Sequence, residues 1–440
     1  MQTTNSYPPP RVAWLTVAIL CLAYVSSFVD RMIMSLLVEP IKRDLAISDT
    51  EMGLLLGLSF TIFYTFLGLP IGWLADRKNR KNIIAIGVTV WSIMTAICGL
   101  AGNYLQLFIA RMGVGVGEAA LTPPAYSIIT DSFPKRKLAT AISVYAIGVY
   151  IGSGLAFLIG GWLVDIVSDQ TKWNIPLIGA VFPWQLVFFY VGLPGLIIAA
   201  LIYFFIQEPT RKDVQSNMQQ QTIGASLKLY FSYFQKHARF FISHHLGYAF
   251  FVMMTYSVSL WIPSHLKRNF GIETLEIGLK YGIIIAIFGT LGVIAGGKIA
   301  DWLSGKGYAD AKIRMGIVAI LAVLPFASTL FWISSANAVF LLLIPITFFS
   351  SFPLGAGSAS LQEAVPNEMR GLSSAVYVFI TNLIGLGLGP LLVGVVTDYV
   401  FTDEKLVGLS LVVVAAFALI ISLSTLLLAM QPYRTLLKAR

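Results

Sequence analysis

Long runs of apolar residues alternate with short polar segments along the whole chain. A helix needs about 20 mostly apolar residues to cross a bilayer, and twelve stretches of this chain reach roughly that length. They cover residues 14–38, 52–75, 82–101, 104–129, 138–164, 184–206, 240–263, 276–300, 313–333, 337–361, 372–397 and 406–430. Their continuous apolar character excludes the alternating strands of a membrane barrel. The pattern therefore predicts an all-α polytopic membrane protein with twelve transmembrane helices.

One long polar interval, 207–239, divides the predicted helices six and six. We expect an N-terminal six-helix bundle over 1–206, a linker over 207–239, and a C-terminal six-helix bundle over 240–440. The second part of the linker places apolar residues at helical spacing, namely Ile223, Leu227, Tyr230, Phe231 and Phe234. This spacing predicts an amphipathic helix on the cytoplasmic face of the membrane. A plain extension of the seventh membrane helix is the alternative.

The two halves repeat each other. Three matches have nearly one offset: 72–76 with 297–301 at 225 residues, Asp131 with Glu363 at 232, and Asp165 with Asp398 at 233. Such a repeat predicts two pseudo-symmetric bundles. Two six-helix halves joined by a linker are typical of alternating-access transporters, in which the substrate binds between the halves near the bilayer midplane.

Composition and charge placement agree with a membrane protein. Only 12% of the residues are charged, whereas a soluble domain has about 25%. Of the 30 Lys and Arg residues, 21 lie on the side of the N-terminus, 7 on the opposite side and 2 within helices. This asymmetry predicts that both termini are cytoplasmic. It also accounts for the net charge of +9 without a nucleic acid.

Four ionisable residues fall inside predicted helices: Asp30, Arg31, Arg111 and Glu118. Each costs a few kcal/mol at the centre of a bilayer, so such residues are functional by default. Arg111 and Glu118 are two helical turns apart and face the same way, and Gly115 between them leaves room for a substrate or a neighbouring helix. We expect Asp30 and Glu118 to carry protons, and Arg31 and Arg111 to gate them and bind an anionic head group. A static buried ion-pair network is the alternative.

Residues 72–81 read Gly-Trp-Leu-Ala-Asp-Arg-Lys-Asn-Arg-Lys. This segment resembles the loop motif of the major facilitator superfamily, with Asn79 where the motif has glycine. Asn tolerates left-handed backbone, so we expect the turn to survive. The resemblance implies the twelve-helix fold of that superfamily and a monomer. It also implies a conformational latch on the cytoplasmic side, formed by Gly72, Asp76, Arg77, Arg80 and, from the second half, Asp301.

A narrower resemblance covers 111–161, where Arg111-Met-Gly-Val-Gly-Val-Gly-Glu118 leads into Pro123-Pro124 and a glycine-rich helix. Together with Asp30-Arg31, this region is similar to the Spinster branch of the superfamily. The resemblance implies transport of amphiphiles such as lysolipids or sphingoid phosphates, with proton-linked bacterial relatives. It places the protein in a bacterial inner (plasma) membrane.

The last six predicted helices contain no charge away from their ends. Candidate substrate-cavity residues there are Tyr256, Tyr377, Thr381 and Asn382. The leading hypothesis is a proton-coupled secondary transporter whose partners are a small amphiphilic or anionic substrate, protons and membrane lipid. A drug exporter or an organic-anion symporter is the alternative within this class.

Two further hypotheses belong to other classes. A membrane-embedded lipid enzyme needs a nucleophile with a base or a set of metal ligands, and no spacing in the sequence supplies either. The second hypothesis is a sensor that has lost transport, and the sequence offers no soluble signalling domain to support it. The sequence contains no His/Cys cluster, so we predict no metal or cofactor.

Overall fold

The computed structural model describes residues 7–75, 77–176, 179–211, 223–366 and 369–438. Nearly all of this part of the chain is helical. Two short strands, β1 (Trp173–Ile175) and β2 (Gly179–Val181), pair antiparallel with Trp173 opposite Val181. The fold is therefore the nearly all-α membrane architecture that the hydrophobic pattern predicts.

The described residues of the first half, up to 211, form eleven α-helices and the strand pair. The helices are α1 (Pro10–Met32), α2 (Val38–Leu45), α3 (Asp49–Leu56), α4 (Leu58–Ala75), α5 (Arg80–Cys98), α6 (Tyr104–Glu118), α7 (Thr122–Ser132), α8 (Lys135–Ala146), α9 (Gly148–Val167), α10 (Pro183–Gly192) and α11 (Pro194–Phe205). A 3₁₀ turn at Ile33–Leu36 extends α1.

Within 223–366 and 369–438 the second half forms ten α-helices. They are α12 (Ile223–Lys236), α13 (Ala238–Phe270), α14 (Thr274–Ile284), α15 (Thr290–Gly305), α16 (Ala311–Thr329), α17 (Ala336–Ser350), α18 (Ala356–Ala364), α19 (Arg370–Thr381), α20 (Gly389–Val395) and α21 (Val407–Lys438). Three π-helical segments continue these helices, at Ile285–Gly289, Asn382–Leu388 and Val396–Phe401.

Eleven segments of the described chain are long and apolar enough to cross a membrane. The fourth predicted helix, 104–129, is instead two shorter helices, α6 and α7, joined by turns at 119–121. Pro123 and Pro124 occupy the first turn of α7. Because proline has no amide hydrogen and clashes with the preceding turn, it favours a new helix start at that place.

The linker helix α12 is separate from α13. His237 lies between them with a backbone conformation that is not helical. Tyr230 of α12 is fully buried, and Phe234 stacks on Phe241 of α13 with ring centroids 5.0 Å apart. A bend at His237 therefore separates the helix Ile223–Lys236 from the long membrane helix that follows it.

Contacts divide the chain into two units. The first contains Met1–Ile47 and Ser59–Gln219, and the second contains Ser48–Leu58 and Gln220–Arg440. In the first unit α1 packs on α9 and α5 packs on α6; in the second, α21 packs on α13 and on α16. The short helix α3 packs on α20, so this piece of the first half of the sequence belongs to the second unit.

Candidate functional site

The four charges inside the predicted helices are all buried. Asp30 and Arg31 end helix α1, whereas Arg111 and Glu118 lie on α6. Their exposed fractions are 1%, 5%, 0% and 1% in that order. A buried charge is stable only with a partner or with hydrogen bonds, so the pairing of these four groups decides what the site does.

Arg31 and Glu118 form an ion pair between α1 and α6. The Nη2 of Arg31 donates a hydrogen bond of 2.6 Å to the Oε2 of Glu118. Glu118 thus pairs with an arginine of the other helix. Arg111 shares a helix face with Glu118 but donates no hydrogen bond to it in the described chain. Glu118 keeps its Oε1 buried without a hydrogen-bond partner in the described chain.

Aromatic rings surround the guanidinium of Arg31. Its Cζ lies 4.8 Å from the ring centroid of Phe28, 4.5 Å from that of Phe60 and 5.0 Å from that of Tyr64. Rings at this distance attract a cation by about 0.5–2 kcal/mol each, depending on how dry the contact is. Arg31 therefore combines an ion pair to Glu118 with three aromatic rings around its head group.

Asp30 and Arg111 are neighbours that do not form an ion pair. The Nη1 of Arg111 donates to the backbone oxygen of Asp30 at 3.4 Å. Both carboxylate oxygens of Asp30, and the Nε and Nη2 of Arg111, are buried without a hydrogen-bond partner among the described residues. Thr95 and Trp91 of α5 lie beside the Asp30 carboxylate. Both the Asp30 carboxylate and the Arg111 guanidinium therefore keep atoms that make no hydrogen bond to the described residues.

The space beside Gly115 is filled by a helix. A side-chain carbon at Gly115 would lie 2.3 Å from the backbone oxygen of Phe60 in α4. The sequence left open whether a substrate or a neighbouring helix fills the space beside this glycine. In the structure the neighbouring helix α4 fills it. The close approach brings Phe60 over Arg31 at 4.5 Å and over Arg111 at 5.6 Å.

Two of the candidate cavity residues in the second unit have identified contacts. The hydroxyl of Thr381 bonds the Tyr377 backbone oxygen at 2.8 Å, so it serves its own helix. The Tyr377 ring lies 5.5 Å from the ring of His244 and 5.7 Å from that of His245. Asn382 opens the π-helical segment, and Tyr256 lies within α13.

The second unit contains a buried histidine pair. His244 and His245 lie in the second turn of α13, and both are fully buried. The Nε2 of His244 lies 3.1 Å from the backbone oxygen of Gly357 and 2.9 Å from the hydroxyl of Ser360. The Nδ1 atoms of His244 and His245 lie 3.1 Å apart, so one imidazole donates to the other. The Nε2 of His245 has no hydrogen-bond partner in the described chain.

The latch residues are partly described. Asp76 lies outside the described residues. Arg77 is exposed, stacks on Trp73 with its Cζ 4.1 Å from the ring centroid, and lies in the loop after α4. Asp301 is exposed on α15. Gly72 is not tightly packed, because a side-chain carbon added there would have its nearest neighbour, an atom of Pro123, 3.9 Å away.

Asn79 caps α5 rather than forming a left-handed turn. Its φ of −65° and ψ of 114° are extended, and its side chain accepts the amide of Asn82 at 2.9 Å. The chain does turn at 77–78 before α5, but Asn79 itself is not left-handed. An N-cap side chain satisfies an amide that the helix cannot, which explains why asparagine serves at this place.

Arg80 is a fully buried centre of a polar network. Its guanidinium pairs with Asp131 and Glu208, and also bonds the hydroxyl of Ser127 and the backbone oxygen of Pro209. Its exposed fraction is 0%. Sequence reasoning named Arg80 but missed Asp131 and Glu208 as its partners. The offset of the internal repeat marks Asp131, whereas nothing in the sequence marks Glu208.

A second ion pair that sequence reasoning missed involves Asp49 and Arg268. Both nitrogens of the Arg268 fork donate to Asp49 at 2.7 Å, and Asp49 is fully buried. Next to it, the amide of Thr50 donates to Asp398 at 2.6 Å. These bonds fix helix α3 on the second unit.

Comparisons with known proteins agree on one family. A model of the Major Facilitator Superfamily matches residues 20–390. The chain is 28% identical over 416 residues to an MFS-type efflux pump of Mycolicibacterium smegmatis, covering 93% of this chain and 91% of that protein. It is 26% identical over 414 residues to a hexuronate transporter of Bacillus subtilis, covering 91% and 92%.

A solved structure has a similar architecture. It is the inward-facing, unoccupied conformation of a bacterial homologue of the human lysosomal transporter Spinster. The TM-score is 0.78 at 26% identity, and the alignment covers 98% of this chain and 99% of that chain.

Proposed function

Because this chain belongs to the major facilitator superfamily, we propose that it is a proton-coupled secondary transporter of an amphiphilic substrate such as a lysolipid or a sphingoid phosphate. Membership makes the protein a Spinster-like membrane transporter rather than an enzyme. The substrate class, the coupling to protons and alternating access are the proposed part.

The ion pair between Arg31 and Glu118 is the observation on which the proposal rests. The two groups meet at 2.6 Å in a buried place. If a conformational change or an incoming anion draws Arg31 away, Glu118 becomes a buried carboxylate without its counter-charge, and such a group takes up a proton. When Arg31 returns, the proton is released. One proton therefore moves for each opening and closing of the pair.

Asp30 is the second proposed proton carrier. Its two oxygens lack hydrogen-bond partners in the described chain, and Arg111 lies beside its backbone. A rearrangement of Arg111 by one side-chain rotation gives Asp30 a counter-charge, and the reverse rotation removes it. Asp30 and Arg111 thus offer a second acid–base couple next to the first.

The surroundings of Arg31 suit a substrate with one anionic end and one apolar body. Released from Glu118, Arg31 presents a cation to a phosphate or carboxylate. Phe28, Phe60 and Tyr64 around it offer apolar and aromatic surface to the adjoining part of the molecule. This combination supports the amphiphile over a fully polar substrate.

A smaller organic anion is the second candidate substrate. Arg111 keeps Nε and Nη2 unbonded, and these two nitrogens form the fork that binds a carboxylate bidentately. The 26% identity to a hexuronate transporter supports this candidate, and the 28% identity to an efflux pump supports a drug exporter. The direction of movement under an imposed proton gradient separates export from symport.

The remaining features of the proposal concern topology and assembly. The Lys and Arg asymmetry supports a bacterial plasma-membrane protein with both termini in the cytoplasm, built of bundles over 1–206 and 240–440. Gly72, Asp76, Arg77, Arg80 and Asp301 are proposed to favour one conformation of the cycle. The family resemblance supports a monomer.

The test uses proteoliposomes that contain the full chain and an internal pH-sensitive dye. Lysophosphatidate, sphingosine phosphate and galacturonate are added separately under an imposed pH gradient. We expect one of the first two to move protons, and Glu118→Gln and Asp30→Asn each to lower substrate-driven proton flux at least tenfold. Glu276→Gln, at a partly exposed ion pair with Lys280, and Asp169→Asn, at an exposed position, remove the same charges outside the site and should leave the flux unchanged.

Two results would contradict the proposal. Undiminished proton flux in both Glu118→Gln and Asp30→Asn removes the assigned proton carriers. Proton flux with galacturonate but with neither amphiphile replaces the amphiphile by the organic anion.

A further inference from the structure

A pocket of about 300 Å³ lies where α12, α13 and α21 meet in the second unit. The end of α12 contributes Lys236, the start of α13 contributes Arg239 and Phe240, and α21 contributes Pro432 and Leu436. The pocket is far along the chain from the four buried charges of α1 and α6. Neither the latch nor the proposed transport chemistry uses its residues.

The polar side of the pocket is cationic. Lys236 and Arg239 are exposed, and neither makes an ion pair in the part of the chain that the structure describes. No acidic residue lines the pocket. His237 adds a third nitrogen base; burial, and then the charge of Lys236, lower the pKa of His237. Two cations without counter-charges around a cavity form a site for an anion.

The other side of the pocket is apolar, and the preceding turns of α12 expose large apolar side chains. Phe240 is buried behind the pocket and stacks on Tyr433 with ring centroids 5.5 Å apart. On α12 itself, Leu229 and Phe231 keep exposed fractions of 53% and 51%. Large apolar side chains exposed on a cationic amphipathic helix are typical of helices that lie in the membrane interface.

We propose that this pocket binds the phosphate head group of an anionic phospholipid of the surrounding bilayer. Lys236 and Arg239 pair with the phosphate, and the acyl chains lie along Leu229 and Phe231. A basic pocket between membrane helices next to an amphipathic helix is a recurring site for such lipids. A soluble anion satisfies the cations but leaves the apolar surface in water, so the lipid is the better occupant.

The consequence for the protein is a lipid that joins the linker helix to the last helix. Lys236 belongs to α12, whereas Leu436 belongs to α21. A bound head group that contacts both helices holds the end of the linker against the second unit. Binding should therefore stabilise the protein as well as occupy the pocket.

The test is lipid titration of the purified full chain in a neutral detergent, read by native mass spectrometry and by the thermal midpoint. The ligands are short-chain phosphatidic acid, phosphatidylcholine and inorganic phosphate. We expect phosphatidic acid to bind and to raise the midpoint. In the double variant Lys236→Gln/Arg239→Gln its affinity should fall roughly 30-fold, because each cation near a membrane surface contributes about fivefold.

The matched control is Lys228→Gln/Lys306→Gln, which removes two exposed cations outside the pocket and should retain the affinity. Equal loss in the control, or no loss in the pocket variant, would mean unspecific attraction and would overturn the proposal. Binding of inorganic phosphate as tight as that of phosphatidic acid would replace the lipid by a free anion. Transport activity of both variants is measured separately, so its failure is distinguishable from the loss of lipid binding.

Discussion

The buried guanidinium of Arg80 pairs with Asp131, 51 residues further along the chain. In the second unit Lys312 pairs with Glu363, again 51 residues further along. Lys312 follows Arg80 by 232 residues, the same offset that separates Asp131 from Glu363. The internal repeat thus preserves an ion pair in each unit, and the two pairs differ mainly in burial.

This difference in burial predicts unequal effects of removing the cation. Arg80→Met leaves Asp131 and Glu208 without their shared partner in a buried place, which should cost about 3–5 kcal/mol of the free energy of unfolding. Lys312→Met breaks a pair whose side chains are 22% and 45% exposed, and it should cost less than about 1 kcal/mol. Thermal unfolding in detergent measures both. Equal destabilisation by the two variants would contradict the assignment of Arg80 as the buried member.

Glycine at a close helix contact gives a second prediction. Gly115→Ala forces a side-chain carbon to within 2.3 Å of a backbone oxygen of α4, so the helices must separate at a cost of about 1–3 kcal/mol. Gly68→Ala is the matched control. Gly68 lies on α4, the helix that Gly115 contacts, and nothing lies within 4 Å of a side-chain carbon added there. Alanine there should stabilise α4 by up to about 1 kcal/mol. Relative to the unmodified protein, we expect the thermal midpoint to fall in Gly115→Ala and to rise in Gly68→Ala. An unchanged midpoint in Gly115→Ala would refute the close contact.

A third prediction concerns the ion pair that docks α3. Arg268→Met leaves the fully buried Asp49 without its bidentate partner and should destabilise the protein by about 3–5 kcal/mol. The charge exchange Asp49→Arg/Arg268→Asp should recover part of that loss. Protease sensitivity of the 48–58 segment and the thermal midpoint measure both. If the exchange variant unfolds as early as Arg268→Met, geometry rather than charge determines the docking.

Acid sensitivity of the second unit provides a fourth prediction. Burial alone would raise the pKa of Asp310, but hydrogen bonds and charge from Arg314 and Arg434 outweigh it and lower the pKa. A carboxyl with a lowered pKa in the folded state stabilises that state above its unfolded pKa of about 3.9, and this contribution disappears as the pH falls through the folded value.

The measurement for Asp310 is the thermal midpoint between pH 3 and pH 7. Asp310→Asn should melt earlier than the unmodified protein near pH 6, and the difference should shrink below pH 4. Asp169→Asn, at an exposed position, should follow the unmodified protein throughout. A difference that stays constant down to pH 3 would remove Asp310 from the acid response.

Much of the fold is readable from the sequence because lipid imposes long apolar segments. The positions of Asp30, Arg31, Arg111 and Glu118 stand out for the same reason, since charge is costly there. Which of these four groups pair with one another cannot be deduced from the sequence. Sequence spacing relates Arg111 to Glu118 along one helix, but the rotation of α1 against α6 decides that Arg31 is the partner.

Other features escaped because they depend on contacts between distant segments. Gly115 is recognisable as small, yet only the position of α4 reveals that a helix backbone occupies the space beside it. Asp49 lies between two apolar stretches and reads as a surface residue, although Arg268, more than 200 positions away, buries it in an ion pair. Pro123 and Pro124 are visible signals, and they predict the division of the fourth helix better than its hydropathy does.

The π-helical segment Asn382–Leu388 has a consequence for how the two halves align. From Glu363 to Asp398 the second half has one residue more than the first half has from Asp131 to Asp165. A π turn closes its hydrogen bonds over one additional residue, so the extra residue is absorbed within the helix and both ends stay in register. A helical wheel drawn straight through Asn382 is therefore rotated by about 100° beyond it. A one-residue gap placed at this segment, inside the membrane helix, therefore keeps Asp131 opposite Glu363 and Asp165 opposite Asp398 in an alignment of the duplicated halves.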